Sequence, residues 1–487
     1  MTILLTIAVY FGILLAISQA VGRGGNDAFF RGNRQSPWYL VAFGMIGASL
    51  SGVTFISVLG MASKTDMTYM QMCIGYIFGY VAVAFILLPI YYRYGLTSIY
   101  TYLDKRFGKT SYKTGASFFL LSKFAGAAAR LYLVCIILQN YVFDDLHIPY
   151  TATVIVTLVL IWLYTRKGGI RSLVWTDTLQ TLCMIAALVL ILVKAMSMLE
   201  LSPAEAWNTV WNDPHSRMFE FGDWGSKQNF WKQFLSGIFI VIVMTGLDQD
   251  MMQKNLTCRN LRDAQKDMCT YGVMFVPVNF LFLSLGILML MLYAKAGIPL
   301  PEKSDDILPE FIANGYMGQT AIVLFTIGVI ASAFSSADSA MTALTTSFCV
   351  DILEIENSGS RFSKNPERTR KIVHVGMMAI FVIFILSFKA LNSTSVIDAI
   401  FILAGYTYGP LLGLFAFGIF TKRTASDKAV PYIAVASPLI CYATDCITAT
   451  ATGYKFGYEL LMLNGMLTFA GLWLTGHKQK EAERCKS

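Results

Sequence analysis

Of the ionisable side chains inside the long apolar runs of this chain, three stand out: Arg130, Asp177 and Asp338. Each costs at least about 2.5–3.5 kcal/mol to hold at the centre of a bilayer, so each is a functional residue by default. Asp338 lies in Ala331-Ser332-Ala333-Phe334-Ser335-Ser336-Ala337-Asp338-Ser339. Hard cations take oxygen ligands. Hydroxyls, backbone carbonyls and one carboxylate supply them at low net charge. One serine would bond back to the helix carbonyl a turn earlier; Ser335, Ser336, Asp338 and Ser339 together on little more than one turn favour a cation site. Asp177 sits in Gly168-Gly169-Ile170-Arg171-Ser172-Leu173-Val174-Trp175-Thr176-Asp177-Thr178-Leu179-Gln180. It reads either as a cation ligand or as an acid paired with Arg171 near the interface. Arg130 follows Ala127-Ala128-Ala129. Its planar fork suits a carboxylate, either of an anionic solute or of a buried acid such as Asp338.

Other chemistry finds little footing. The four histidines, His147, His215, His374 and His477, fall in loops or at helix ends. The nine cysteines show no metal spacing, and neither a nucleophile triad nor a glycine-rich phosphate loop is present. The residues point away from an enzyme.

The elements that must position these groups are membrane helices. Of 487 residues, 55% are hydrophobic and 14% charged, against about 25% charged in soluble domains. Apolar length predicts about thirteen spans, near 2–20, 38–61, 68–92, 115–141, 150–165, 173–198, 230–251, 268–294, 318–350, 372–391, 395–420, 430–449 and 456–476. Arg23, Arg31 and Arg34 follow the first run and no basic region precedes it, so it reads as a retained helix and not a cleaved signal. The net charge of +8 does not indicate nucleic acid, because the basic residues alternate by loop. One set of loops, including Arg93, Lys105, Arg166, Arg171, Lys254, Arg259, Arg368 and the C-terminal tail, holds about 27 of the 38 Lys and Arg, against about 8 in the opposite set. The positive-inside rule places that set in the cytoplasm, with the N-terminus outside, as in a bacterial inner membrane.

The second and seventh spans are unusual. The second, Phe43-Gly44-Met45-Ile46-Gly47-Ala48-Ser49-Leu50-Ser51-Gly52-Val53-Thr54, crowds three glycines and three hydroxyls at mid-membrane. The seventh carries Gly237 and Gly246. They lie five positions apart in the order of spans, which predicts broken helices at matching places of two inverted halves around a central site. Close helix packing through small residues is the alternative.

At these residues the chain resembles the sodium/solute symporter family, which includes bacterial proline, galactose and sialic-acid transporters. The 168–180 stretch is similar to one family signature. Ala404-Gly405-Tyr406-Thr407-Tyr408-Gly409-Pro410-Leu411-Leu412-Gly413 is similar to another. Asp248-Gln249-Asp250-Met251-Met252-Gln253-Lys254 is similar to its glutamine-rich stretch. The resemblance implies an all-α polytopic protein with a LeuT-type 5+5 inverted repeat. It divides the chain into an extra helix and loop (1–36), a first repeat (37–199), an outside segment (200–229), a second repeat (230–428) and two further helices with a short tail (429–487). It implies a main sodium site from carbonyls of Gly47, Leu50 and a residue near Ser332 with the hydroxyls of Ser335 and Ser336. A second sodium site would use Asp177, Ser335, Asp338 and Ser339. Asp338 departs from the family pattern, where members with that site often carry a hydroxyl; two acids there could bind sodium or a proton, or pair with Arg130. Ser49, Ser51, Thr54, Gln71 and Arg130 are placed around the substrate, Arg130 where sialic-acid transporters grip a carboxylate. The expected function is sodium-coupled import of a small solute across the bilayer, a sugar acid or else a neutral sugar or polyol. A ligand sensor built on the same core is the alternative of another class. Segment 201–229, with Trp207, Trp211 and Trp224, reads as an interfacial lid.

Overall fold

The computed structural model describes residues 2–22, 25–143, 147–391 and 396–478. Arg23, position 395 of the predicted eleventh span and the tail from 479 lie outside the described residues. The architecture is helical. Besides short helices at Asn26–Arg31, Thr101–Arg106 and Ile307–Ala313, the helices are α1 (Thr2–Val21), α2 (Trp38–Ser49), α3 (Thr54–Thr65), α4 (Tyr69–Tyr94), α5 (Lys109–Leu138), α6 (Tyr150–Gly168), α7 (Ile170–Met198), α8 (Pro203–Asn212), α9 (Phe230–Gly246), α10 (Gln249–Asn255), α11 (Leu261–Ala296), α12 (Gln319–Ile352), α13 (Pro366–Leu391), α14 (Val396–Phe420), α15 (Val430–Thr452) and α16 (Leu460–Thr475).

Among the described residues, eight helices are long and apolar enough to cross a membrane, and ten crossings result if each bent pair counts as one. The other three predicted spans are the shorter apolar helices Leu5–Val21, Tyr150–Arg166 and Leu460–Thr475. At 1.5 Å per residue, such helices reach somewhat less than the roughly 30 Å of a hydrocarbon core.

Both predicted breaks are present. α2 and α3 meet at 65°, and α9 and α10 at 69°. At the first, Leu50 turns out of the helix with ψ 62°. Ser51 O then accepts from Thr54 N at 2.8 Å to start the next helix. At the second, Leu247 and Asp248 leave helical geometry, and Asp248 caps α10 by accepting from Asp250 N at 2.8 Å. The carbonyls freed there are not stranded. Gly246 O accepts from the Tyr91 hydroxyl and Leu247 O from the Tyr100 hydroxyl, each at 2.8 Å. Unwound backbone at this depth survives only with such partners.

The glycines divide between breaking and packing. A Cβ on Gly47 would collide with Thr181 Oγ1, and one on Gly237 would collide with Met72 O. These two let α2 press on α7 and α9 press on α4. Gly246 lies at the break itself. Gly169 forms the turn between α6 and α7 at φ +49°, with Phe29 directly above it.

Loop 421–429 holds one end of the bundle together. The Asp427 carboxylate accepts from Thr110 N at 3.1 Å, and from Ser111 N and Oγ at 2.6 Å, covering free amides in the first turn of α5. Partial burial opposes the charge, but the bonds from Ser111 and Thr110 outweigh it and hold the carboxyl below its usual range. A depressed carboxylate stabilises the fold above its unfolded pKa, and that stability is lost as pH falls through the folded pKa. Asp427→Ala should therefore cost about 1 kcal/mol at neutral pH, in the range of a lost helix cap. The difference from the native chain should vanish in thermal melts taken on acidification.

Candidate functional site

A cavity of about 110 Å³ opens between the two breaks. Ser49, Ser51 and Thr54 reach it from the first break, and Met244, Thr245 and Asp248 from the second. α5 supplies Ser122, Lys123 and Arg130. Lys123 and Arg130 are seven residues apart, two helical turns, and so share a face. They differ in their partners. Lys123 Nζ lies 3.1 Å from Asp248 and 2.7 Å from Asp250, and the Tyr408 hydroxyl donates to Asp248 at 2.5 Å. Its charge is spent on tying α5 to the second break and to α14. Arg130 is half-buried against the cavity and has no hydrogen bond or ion pair among the described residues. Its five N–H donors are free to meet a planar anion.

Much of the remaining wall is apolar or already bonded. Val53, Ile240, Val241 and Phe275 line it. Ser49 bonds to Tyr271, which also accepts from Tyr80 at 2.8 Å. Ser51 and Thr54 are buried and face the same cavity. Gln71 does not line it. Its Nε2 donates to Gln228 O at 2.8 Å and its Oε1 accepts from Glu220 N at 3.0 Å. It fastens α4 to the 200–229 segment, away from the cavity wall where the expected substrate contact would be.

The hydroxyl cluster on α12 splits in two. Ser332 bonds back to Val329 O at 3.0 Å, as an ordinary helix serine does. Ser335 and Ser336 instead reach across to other helices. Ser336 Oγ donates to Ala48 O on α2 at 2.8 Å, and Ser335 Oγ donates to Asp177 Oδ1 on α7 at 2.9 Å. α12 is thus in contact with the C-terminal end of α2, beside Gly47 and Leu50, where the last helix carbonyls lack intrahelical partners. This donor set suits a sodium ion: hydroxyls and carbonyls converge at a helix break next to a carboxylate.

Asp177 and Asp338 are 1% and 0% exposed. Asp338 accepts from the Tyr164 hydroxyl at 2.7 Å and from Ser339 Oγ at 3.2 Å. It makes no ion pair with Arg130, which faces the cavity instead. Asp177 is paired with Lys254 at 2.7 Å. Lys254 is itself 1% exposed, whereas its sequence position groups it with the basic loop of Arg259, Arg262 and Lys266. The half-helix α10 turns inward after the break and carries the lysine with it. Spacing does not reveal this turn. Lys123, by contrast, carries a local signal, as a charge inside an apolar run on the face of Arg130. His374 also differs from expectation. It lies within α13, buried between the hydroxyls of Thr165 and Thr345 at 3.1 and 2.8 Å.

The chain matches the family model "Sodium:solute symporter family" over residues 29–431. It is 24% identical to the human sodium/iodide cotransporter, over 84% of this chain and 65% of that protein. It is 25% identical to the sodium/sialic acid symporter NanT of Aliivibrio fischeri, over 86% and 83% of the two chains. It is also 25% identical to the sodium/sialic acid symporter SiaT of Proteus mirabilis, over 84% and 82%. In structure it is similar to a substrate-bound, outward-open Na+-coupled sialic acid symporter, with a TM-score of 0.83 at 20% identity over 98% of this chain and 99% of that one. A nucleobase-cation-symport-1 family transporter in a closed conformation follows at 0.60 and 14% identity, over 95% of this chain and 98% of that one. These neighbours have the LeuT-type fold. The chain belongs to the sodium:solute symporter family, a multi-pass membrane transporter that couples a small solute to sodium and not an enzyme.

Proposed function

We propose that this symporter imports a small organic anion whose carboxylate is held by Arg130 in the cavity between the two broken helices. The observation that carries the reading is the guanidinium of Arg130, which faces that cavity and has no partner among the described residues. Arg130 is half-buried, so without a counter-charge it bears part of the cost of desolvating a cation, and a solute carboxylate offsets that cost. Three of the relatives and neighbours named above are sodium/sialic acid symporters by name, which supports a sugar acid. A second reading, a less hydroxylated monocarboxylate, is favoured by the apolar wall of Val53, Ile240, Val241 and Phe275.

In this reading the ten long crossings and three shorter apolar helices make thirteen spans. Five-helix repeats at 37–199 and 230–428 flank the 200–229 segment, helices at 1–36 and 429–487 complete the chain, and the N-terminus lies outside the cell. Sodium would be held by the Gly47 and Leu50 carbonyls, a carbonyl near Ser332, and the Ser335 and Ser336 hydroxyls. The Ser336–Ala48 contact is where such an ion would clasp α2 to α12. A ligand shifts a conformational equilibrium only by its differential affinity for the two states. Sodium bound across this contact favours the state in which α2 and α12 touch, and that state shapes the cavity. Coupling is reciprocal, so solute should tighten sodium binding in turn.

The experiment is thermal unfolding of the purified protein in sodium and in potassium, across sialic acids, monocarboxylates, sugars and polyols. A ligand that binds only the folded state stabilises it by about 2.7 kcal/mol at a hundredfold excess over Kd. A sodium-dependent shift with an acid supports the proposal. A shift with neutral sugars alone overturns it. Ser336→Ala should weaken sodium binding by roughly tenfold or more, because an interaction with a charged group is worth about 1.5–3 kcal/mol. The midpoint of the sodium-dependent shift reads this out.

A further inference from the structure

The place expected for a second sodium ion already contains a positive charge. Lys254 Nζ stands 2.7 Å from Asp177 Oδ2, and Asp177 Oδ1 accepts from Ser335 at 2.9 Å. Both oxygens of the carboxylate are engaged. A sodium ion bound by Asp177 and Ser335 would have to turn the serine hydroxyl away from the acid and share the acid with an ammonium group. Two cations on one carboxylate in a dry interior repel strongly, because charges there are poorly screened. Lys254 is wholly buried and has no other ion pair among the described residues. Its stem rises from α10, the half-helix behind the second break. The ammonium therefore ties α10 to α7 and, through Asp177 and Ser335, to α12. An ion bound by Asp177 and Ser335 would make the last part of that link.

We propose that Lys254 acts as a built-in cation that fills the second site, so that this symporter binds and couples a single sodium ion. The proposal rests on the sodium sites of the proposed function and extends them. The remaining acid, Asp338, is held by Tyr164 and Ser339, and the side-chain amide of Gln180 is buried on α7 one turn beyond Asp177. With the ammonium removed, Asp177, Asp338 and the hydroxyls of Ser335 and Ser339 offer their oxygens to an ion.

The test counts sodium ions on the purified full-length protein by equilibrium binding of radioactive sodium, with potassium as the balancing salt. The native chain should bind one ion. Lys254→Met, which keeps the stem and removes the charge, should bind two, and Lys254→Arg should bind one. Asp338→Asn placed in the Lys254→Met chain should return the count to one. Two ions in the native chain, or an unchanged count of one in a folded Lys254→Met chain, would overturn the proposal while leaving sodium coupling intact. No sodium on the native chain would overturn the sodium reading, and this proposal with it. Should Lys254→Met fail to fold, the native and Lys254→Arg counts still decide between one ion and two.

Discussion

Arg130→Ala should abolish the response to an acidic solute at concentrations that saturate the native chain. Truncating one partner of a buried, hydrogen-bonded charge pair costs about 2–5 kcal/mol, which is roughly thirtyfold to more than a thousandfold in affinity. Sodium should still stabilise the variant, because Arg130 is no part of the α2–α12 contact. Arg130→Lys separates charge from shape: it restores the charge without the planar fork, so it should recover only part of the affinity. The measurements are the ligand-induced shift in melting temperature and sodium-dependent uptake into vesicles. Equal affinity of Arg130→Ala and the native chain for the acid would remove the guanidinium from the site. A neutral solute would then be the better reading of the cavity.

The sequence carries some parts of this site plainly and conceals others, and the division has a physical cause. A charge or a glycine in an apolar run is a local signal, and so Arg130, Asp177, Asp338 and the two breaks are visible in it. What the sequence conceals is pairing. Ser335 and Asp177 are 158 residues apart, and Lys123 and Asp248 are 125 apart. Nothing local says that these groups meet. Lys254 shows the difficulty most clearly, since its neighbours in sequence belong to a basic loop and its neighbours in space are buried acids. The glycines are ambiguous for another reason. Both meanings, breaking and packing, are realised in one helix, where Gly47 admits Thr181 while the Leu50–Ser51 backbone unwinds three residues later. Gln71 and His374 depart from expectation because a polar residue in an apolar run looks the same whether it meets a ligand or another segment of the chain.

Asp177→Ala should destabilise the fold far more than the loss of any surface ion-pair partner. It strands a fully buried ammonium, and breaking a buried pair from one side costs about 3–5 kcal/mol. Exposure sets the scale of comparison. Glu354 meets Lys109 and Lys113 at 3.2 Å, with Lys109 67% exposed, and removing such a surface partner costs about 0–1 kcal/mol. Glu354→Ala should therefore melt close to the native chain while Asp177→Ala melts far below it. The double substitution Asp177→Ala with Lys254→Met removes both charges, and an apolar replacement for a buried pair is often neutral or stabilising. It should recover most of the loss, which makes the two single effects strongly non-additive. Denaturation of the four chains in one detergent provides the cycle. If the double variant is as unstable as the sum of the singles, the pair is not an energetic unit. The 2.7 Å contact would then be an accident of packing, and Lys254 would have to stabilise α10 by other means.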